Sequence, residues 1–335
     1  MGTRTWSRRG VLTSAGKKRV QTVTALTQTR DSLMQEASQI VSGKEMDNPS
    51  PETIQRLTEL GEQIREQDRQ ISIALGKNPD IRLWRNETPG LDNNPNENGM
   101  FGKNTYENTP ERQEFRARIV ADALLQGSQE PKGSNGRPVV IVMLGAPGSG
   151  KSTIRTQLYG NEPGYAVVDA DGFKELLPEY RLAVANSDRL AAARSHEESS
   201  LIAKQTRDAA IAGRYNFVMD GTGNNLTNYL KMMDTLRDAG YEIRLLMPNS
   251  SVESGLQRNA IRSNLIGRYV PPLFLRKLYR EIPKNFFPLA AKADEATLIQ
   301  SGSGDLLASG KRGADGKMTL EVTQKGKSFA RKYKS

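Results

Sequence analysis

The 335-residue chain has no cysteine and a single histidine, His196. The first absence removes disulfides, thiolate nucleophiles and zinc–thiolate sites. The second argues against a Ser-His-Asp arrangement and points to a carboxylate for any general-base step. Apolar residues make up only 36% of the chain, and the polar excess lies mostly in the N-terminal third, so a packed core is expected mainly in the C-terminal part. No apolar run approaches the ~18 residues of a membrane span. Ser7-Arg8-Arg9 faintly resembles a twin-arginine signal, but Gly10 to Ala15 is too short and polar for the apolar region such a signal needs. No cleaved export signal is expected, and the expected compartment is the cytoplasm, with delivery as an effector the alternative.

Negative charge is scarce at both ends. Residues 1–22 carry six Lys/Arg and no acid, and residues 311–335 carry eight Lys/Arg against Asp315 and Glu321. The ends therefore hold all of the net +10, and the middle is slightly acidic. A nucleic-acid-binding core shows its basic residues on the folded domain, interleaved with aromatics. Here the favoured reading is a basic arm (1–22) and a basic tail (311–335), both solvated, and a nucleic-acid partner is not expected.

The chain is organised around Gly145-Ala146-Pro147-Gly148-Ser149-Gly150-Lys151-Ser152, followed by Thr153. It comes after the apolar run Val139 to Leu144 and before a segment of helical character. This is the pattern G-x-x-x-x-G-K-[ST] in its strand–loop–helix context, a phosphate-binding loop. The glycines let consecutive backbone N–H groups face an anion, and the helix N-terminus adds partial positive charge. Lys151 would reach the β- and γ-phosphates of ATP, and the Ser152 hydroxyl would ligate Mg2+.

Upstream, spacings of three and four predict helices over about 21–41 and 50–76, the second opened by Ser50 and Pro51. Residues 77–108, rich in Asn, Pro and Gly, read as a linker. A third helix starts at Thr109-Pro110, and 127–137 is a second linker. Residues 23–130 form a helical region whose stripes need a partner surface, and no residue in it carries chemistry.

From Pro138 strands alternate with helices, predicting a parallel sheet with right-handed crossovers. The expected strands are 139–144, 165–169, 216–220 and 241–247. The expected helices are 151–159, 172–176, 181–212 (broken near Ser187), 226–239, 251–265 and 273–285. Short strands at 297–300, 306–308 and 318–322 suggest a hairpin or meander at the edge. The expected class is α/β: a P-loop NTPase-like parallel sheet flanked by helices, over 131–310, with an N-terminal α-helical segment and a small C-terminal hairpin.

In open α/β sheets the ligand lies beyond the carboxyl ends of the strands. The second strand ends in Asp169-Ala170-Asp171 and the third in Asp220-Gly221-Thr222. A carboxylate there can take the proton of an attacking hydroxyl, and an Asp after an apolar strand matches a Mg2+ ligand. A turn-forming role suits Asp169 or Asp171, but not both. Arg258 and Arg262 share a helix face, and Arg268 follows Gly267. Converging guanidiniums would stabilise a transferring phosphate, and a solvated basic face reads equally well from the spacing.

Residues 138–310 resemble the zeta-toxin family of small-molecule kinases. The resemblance rests on Gly145–Ser152, Asp169-Ala-Asp171-Gly-Phe173-Lys174, Ser195-His196-Glu197-Glu198, Asp220-Gly221-Thr222, and Arg258-x-x-x-Arg262 running to Arg268. It implies an ATP-dependent kinase that phosphorylates the 3′-hydroxyl of the amino sugar of UDP-N-acetylglucosamine and so blocks cell-wall precursor synthesis. It makes Asp171 the general base, with Lys151, Arg262 and Arg268 as phosphate contacts and Arg258 as a rival for the first arginine. Asp169, Glu198, Asp220, Thr222 and Asn224 are the implied substrate contacts, Asn224 standing where the family often has Arg. It also implies an inhibitory helical partner, supplied in trans or in cis by the helices of 21–126; a delivery or docking segment is the plainer reading. A kinase of another nucleotide such as NAD, a polynucleotide-end kinase and a slowly hydrolysing nucleotide-binding module are the rival functions.

Overall fold

The computed structural model describes residues 14–42, 50–74, 109–159, 164–185, 191–266 and 269–334. The linker expected at 77–108, most of the basic arm and Arg268 lie outside them. The helices are α1 (Ser14–Ser42), α2 (Pro51–Ala74), α3 (Pro110–Leu124), α4 (Lys151–Tyr159), α5 (Ala170–Lys174), α6 (Pro178–Ala185), α7 (Ala191–Arg194), α8 (His196–Ala212), α9 (Leu226–Asp238), α10 (Val252–Ile266), α11 (Pro272–Glu281), α12 (Phe286–Ala290) and α13 (Lys327–Tyr333). The strands are β1 (Val139–Met143), β2 (Ala166–Asp169), β3 (Phe217–Asp220), β4 (Glu242–Asn249), β5 (Glu295–Gln300), β6 (Leu306–Arg312) and β7 (Met318–Val322).

The chain divides into two compact units. The larger holds the sheet, in the order β2-β3-β1-β4-β5-β6-β7. Its first five strands are parallel, and β6 and β7 close the edge antiparallel. The central strand reads Val-Val-Ile-Val-Met because both its faces are buried. Val140 and Val142 join a core with Phe217, Ile243, Leu245, Leu275 and Phe286, while Val139, Ile141 and Met143 pack on the other face with Ile154 and Leu246. At ~25 cal/mol per Å2 of apolar surface, this two-sided burial is the main stabilising term.

Three sequence expectations change here. The third helix belongs with the sheet unit, packed on α8, and does not join α1 and α2. The expected linker after it is pinned: the Asn216 amide donates to Ser128 O (2.8 Å) and Glu130 O (2.7 Å), and its Oδ1 accepts from Val139 N. The 311–335 segment is not a solvated tail, since it contains β7 and α13. Phe329 is buried there, its ring centroid 6.2 Å from Phe286 and 4.7 Å from Tyr333. An aromatic pair at i, i+4 anchors the helix, and its lysines remain in water.

The smaller unit gathers α1, α2, α6, α7 and the last turns of α10. Leu57, Leu60 and Ile64 of α2 pack against Ala37, Leu33 and Met34 of α1. Inside it Arg30 is almost fully buried and donates to Asp68 (3.2 Å), Asp31 (3.2 Å) and Glu175 (3.5 Å). Burial pushes the Asp68 carboxyl up against the pull of Arg30 and Arg181. The helix expected over 181–212 is resolved into α6, α7 and α8. Its start at Pro178 follows from the preference for proline at a first helical position.

Candidate active site

The carboxyl ends of three strands meet in register. Asp220 of β3 pairs with Met143 of β1 on one side and with Asp169 of β2 on the other. One residue past Met143 the chain turns into the glycine loop, which is fastened to the segment that follows β3: Gly145 N donates to Thr222 O (3.1 Å) and Gly221 N to Met143 O (3.2 Å). Gly148 has φ 76° and Gly150 φ 91°, conformations that side chains rarely adopt. A Cβ on Gly148 would also stand 3.0 Å from Gly255 O. The curled backbone ends in α4, whose first-turn amides have no intrahelical acceptors and open towards an anion.

The Lys151 ammonium donates to Gly145 O (2.9 Å), folded back over the loop, and lies 3.7 Å from the Asp220 carboxylate. Asp220 is nearly buried. Burial pushes its pKa up, Lys151 and Arg155 draw it down, and Asp169 and Asp171 add to the upward shift. Five charged groups thus share one electrostatic neighbourhood centred on Asp220. The buried Ser149 hydroxyl has no hydrogen-bond partner among the described residues, while the Ser152 side chain is exposed. An amide-lined loop with a lysine, an exposed serine and a neighbouring aspartate suits a phosphate chain and a hard divalent cation. Ser152 and Asp220 are the residues that would hold Mg2+.

The two aspartates of β2–α5 divide their roles. Asp169 Oδ1 accepts from Asp171 N (2.9 Å) and so makes the turn. That leaves the Asp171 carboxylate half-exposed, bonded at 2.7 Å to Lys174, whose own side chain is buried. Next to this pair sits His196, whose pKa is lowered to about 4 by burial, with Lys174 lowering it further and Asp171 opposing. The unfolded imidazole titrates near 6.5. Between pH 6.5 and 4 the unfolded chain therefore binds a proton that the folded chain does not, and stability falls with acidification across that window, by about 3 kcal/mol in total. Because His196 is the sole histidine, the native protein should give one imidazole NMR titration, with its midpoint near 4. A midpoint at the ordinary value would contradict this placement.

Arg258 donates to Gly148 O (2.9 Å), so this arginine is seated on the loop itself. Tyr279 donates to Pro147 O (3.3 Å), and the Ser301 hydroxyl donates to Ser149 O. Arg258 was a sequence candidate for the phosphate site, whereas Tyr279 and Ser301 were not anticipated, because strand and helix patterns carry no signal for a tyrosine eleven residues beyond Arg268 or for a serine after β5. Arg262 falls on the turns of α10 that group with the helical unit. Asn224 and Thr222 follow β3, Thr222 accepting the loop's first amide through its carbonyl. The Asn285 amide donates to Gly223 O (2.7 Å) and holds that segment in place.

Glu198, at the start of α8, is buried. Both its oxygens are engaged by guanidiniums of α3: Arg112 donates to each oxygen at 2.7 Å and Arg116 to Oε1 at 3.0 Å. The carboxylate is thus directed at α3, a helix that the sequence alone left without chemistry.

Residues 122–306, more than half of the chain, match the family model described as Zeta toxin. No curated protein matches. Among solved structures, the AvrRxo1-ORF1:AvrRxo1-ORF2 assembly with sulphate ions is 16% identical, covering 74% of this chain and 78% of that chain with a TM-score of 0.51. A chain of the PezAT chromosomal toxin–antitoxin system of the human pathogen Streptococcus pneumoniae is also 16% identical, covering 68% of this chain and 95% of that chain with a TM-score of 0.49. With the glycine loop, the aspartates at the strand ends and the five-stranded parallel order all inside the matched span, the chain belongs to the zeta toxin family.

Proposed function

We propose that the chain is an ATP-dependent phosphotransferase with an alcohol group as acceptor, and that the acceptor is the 3′-hydroxyl of the amino sugar of UDP-N-acetylglucosamine. The observation that supports this reading most is the register of Met143, Asp220 and Asp169 at the strand ends, with Asp220 3.7 Å from the lysine of the glycine loop. In the reading, the loop amides and Lys151 hold the phosphates, and Asp171 accepts the acceptor's proton. Arg258 neutralises charge at the loop, with Arg262 and Arg268 assigned to the transferring phosphate. Thr222 and Asn224 face the acceptor side. Mg2+, when bound at Ser152 and Asp220, supplies further charge neutralisation. Asp169 enters as the residue that shapes the turn, and Glu198 as the anchor of α3.

Membership of the zeta toxin family motivates an inhibitory partner, and α1 and α2 are the proposed supply of it in cis. Helix α3 is left out of that role because its arginines hold Glu198. One experiment addresses both points. The full chain and a chain starting at Thr109 are incubated with ATP, Mg2+ and either UDP-N-acetylglucosamine or NAD, and products are weighed by mass spectrometry. The reading expects a mono-phosphorylated nucleotide sugar, formed faster by the shorter chain. Phosphorylated NAD alone would move the acceptor assignment, and no product from either would remove the kinase reading.

A further inference from the structure

A cavity of about 520 Å3 opens in the sheet unit between the end of β4, helix α11 and helix α13. It contains none of the glycine loop. Tyr279 stands on the side facing that loop, its hydroxyl already engaged by Pro147 O and Ser250. Its lining is one-signed: Arg276, Arg280, Lys325 and Lys332 contribute cations, and no carboxylate lines it among the described residues. Two of the four are compensated from outside, Arg280 by Glu281 (2.8 Å) and Lys325 by Asp305 (2.7 Å). Arg276 and Lys332 have no ion-pair partner among the described residues. Two uncompensated cations on one concave surface repel each other, and an anion between them removes that cost.

The far wall is aromatic. Phe329 and Tyr333 meet at a tilt of 55° with centroids 4.7 Å apart, and Phe329 is held by Phe286 and Phe287. Serine hydroxyls at Ser250, Ser251 and Ser328 complete the lining. Cations, hydroxyls and a fixed aromatic face in one cavity match a small molecule with a phosphate at one end and a planar ring at the other.

We propose that this cavity is a second ligand site, separate from the glycine loop, for a phosphorylated small molecule of 5′-mononucleotide type, with Arg276 and Lys332 taking the phosphate and the Phe329–Tyr333 wall taking the ring.

The test uses the full-length protein carrying Lys151→Ala, so that the glycine loop does not supply the binding. Uridine and adenosine 5′-monophosphates are titrated by calorimetry, with ribose 5-phosphate as the probe that lacks the ring. The site predicts saturable one-to-one binding of the mononucleotides in the sub-millimolar range, a weaker ribose 5-phosphate, and a loss of about tenfold or more on adding Arg276→Glu or Lys332→Glu. Both positions are exposed, and an unchanged thermal transition verifies that the variants fold. Absence of saturable mononucleotide binding, binding that survives both substitutions, or ribose 5-phosphate binding as tightly as the nucleotides would overturn the proposal. So would these residues taking up a polynucleotide with steep salt dependence while mononucleotides leave them empty.

Discussion

Asp171→Asn is expected to lower phosphoryl transfer by about 10²–10⁴-fold, the range a positioned general base contributes, while ATP binding changes little. The reasoning is geometric. Asp169 spends one carboxylate oxygen on the turn into α5, so Asp171 is the member of the pair left with an accessible carboxylate. Its neighbours include Lys174, at 2.7 Å, and the neutral His196. Residue 171 lies outside the glycine loop and an amide keeps the carboxylate's size, so the substitution removes the proton acceptor and leaves the residues of the phosphate cradle in place. Single-turnover transfer and equilibrium ATP binding, measured on the same variant, separate the two effects. A variant that still transfers phosphate at the wild-type rate would reassign the base; one that loses ATP binding as well would mean that residue 171 shapes the loop. A regulatory module that only binds and slowly hydrolyses nucleotide would show no comparable drop, because water attack does not depend on an acceptor hydroxyl at that carboxylate.

Much of the sheet was legible because its strands are buried on both faces and so read as unbroken apolar runs. Val139 to Leu144 and Phe217 to Met219 are apolar throughout. The aspartates at the strand ends were legible for the complementary reason: a charge after such a run has to emerge at the sheet's edge. What the pattern could not decide was partnership between distant elements. Arg112 and Arg116 lie i, i+4 on α3 and could have been a solvated face; only the fold brings Glu198 to them, 82 residues beyond Arg116. Arg258 and Arg262 share a helical face too, yet it is Arg258 that bonds the glycine loop, at Gly148. In the basic C-terminal segment net charge masked structure. Its cations dominate composition, while Phe329 and Tyr333, four residues apart, dock the helix.

The second large effect concerns Glu198. Removing one member of a buried ion cluster leaves the others charged and desolvated, and such losses run to about 3–5 kcal/mol. Glu198→Ala should cost that much, because Arg116 is 2% exposed and Arg112 only slightly more accessible. Glu198→Gln should recover only a part, since an amide keeps one acceptor but donates towards guanidiniums that have no lone pair to receive it. Replacing all three residues with apolar side chains of similar volume should restore much of the stability, as the cost lies in the stranded charge and not in the missing attraction. Denaturant unfolding of the three variants measures this directly. A carboxylate serving a bound sugar instead would give the opposite signature: unfolding midpoints unchanged, and a raised KM for the acceptor in Glu198→Gln. The outcome decides whether α3 is a structural part of the catalytic unit, and therefore where any truncation meant to release that unit has to begin.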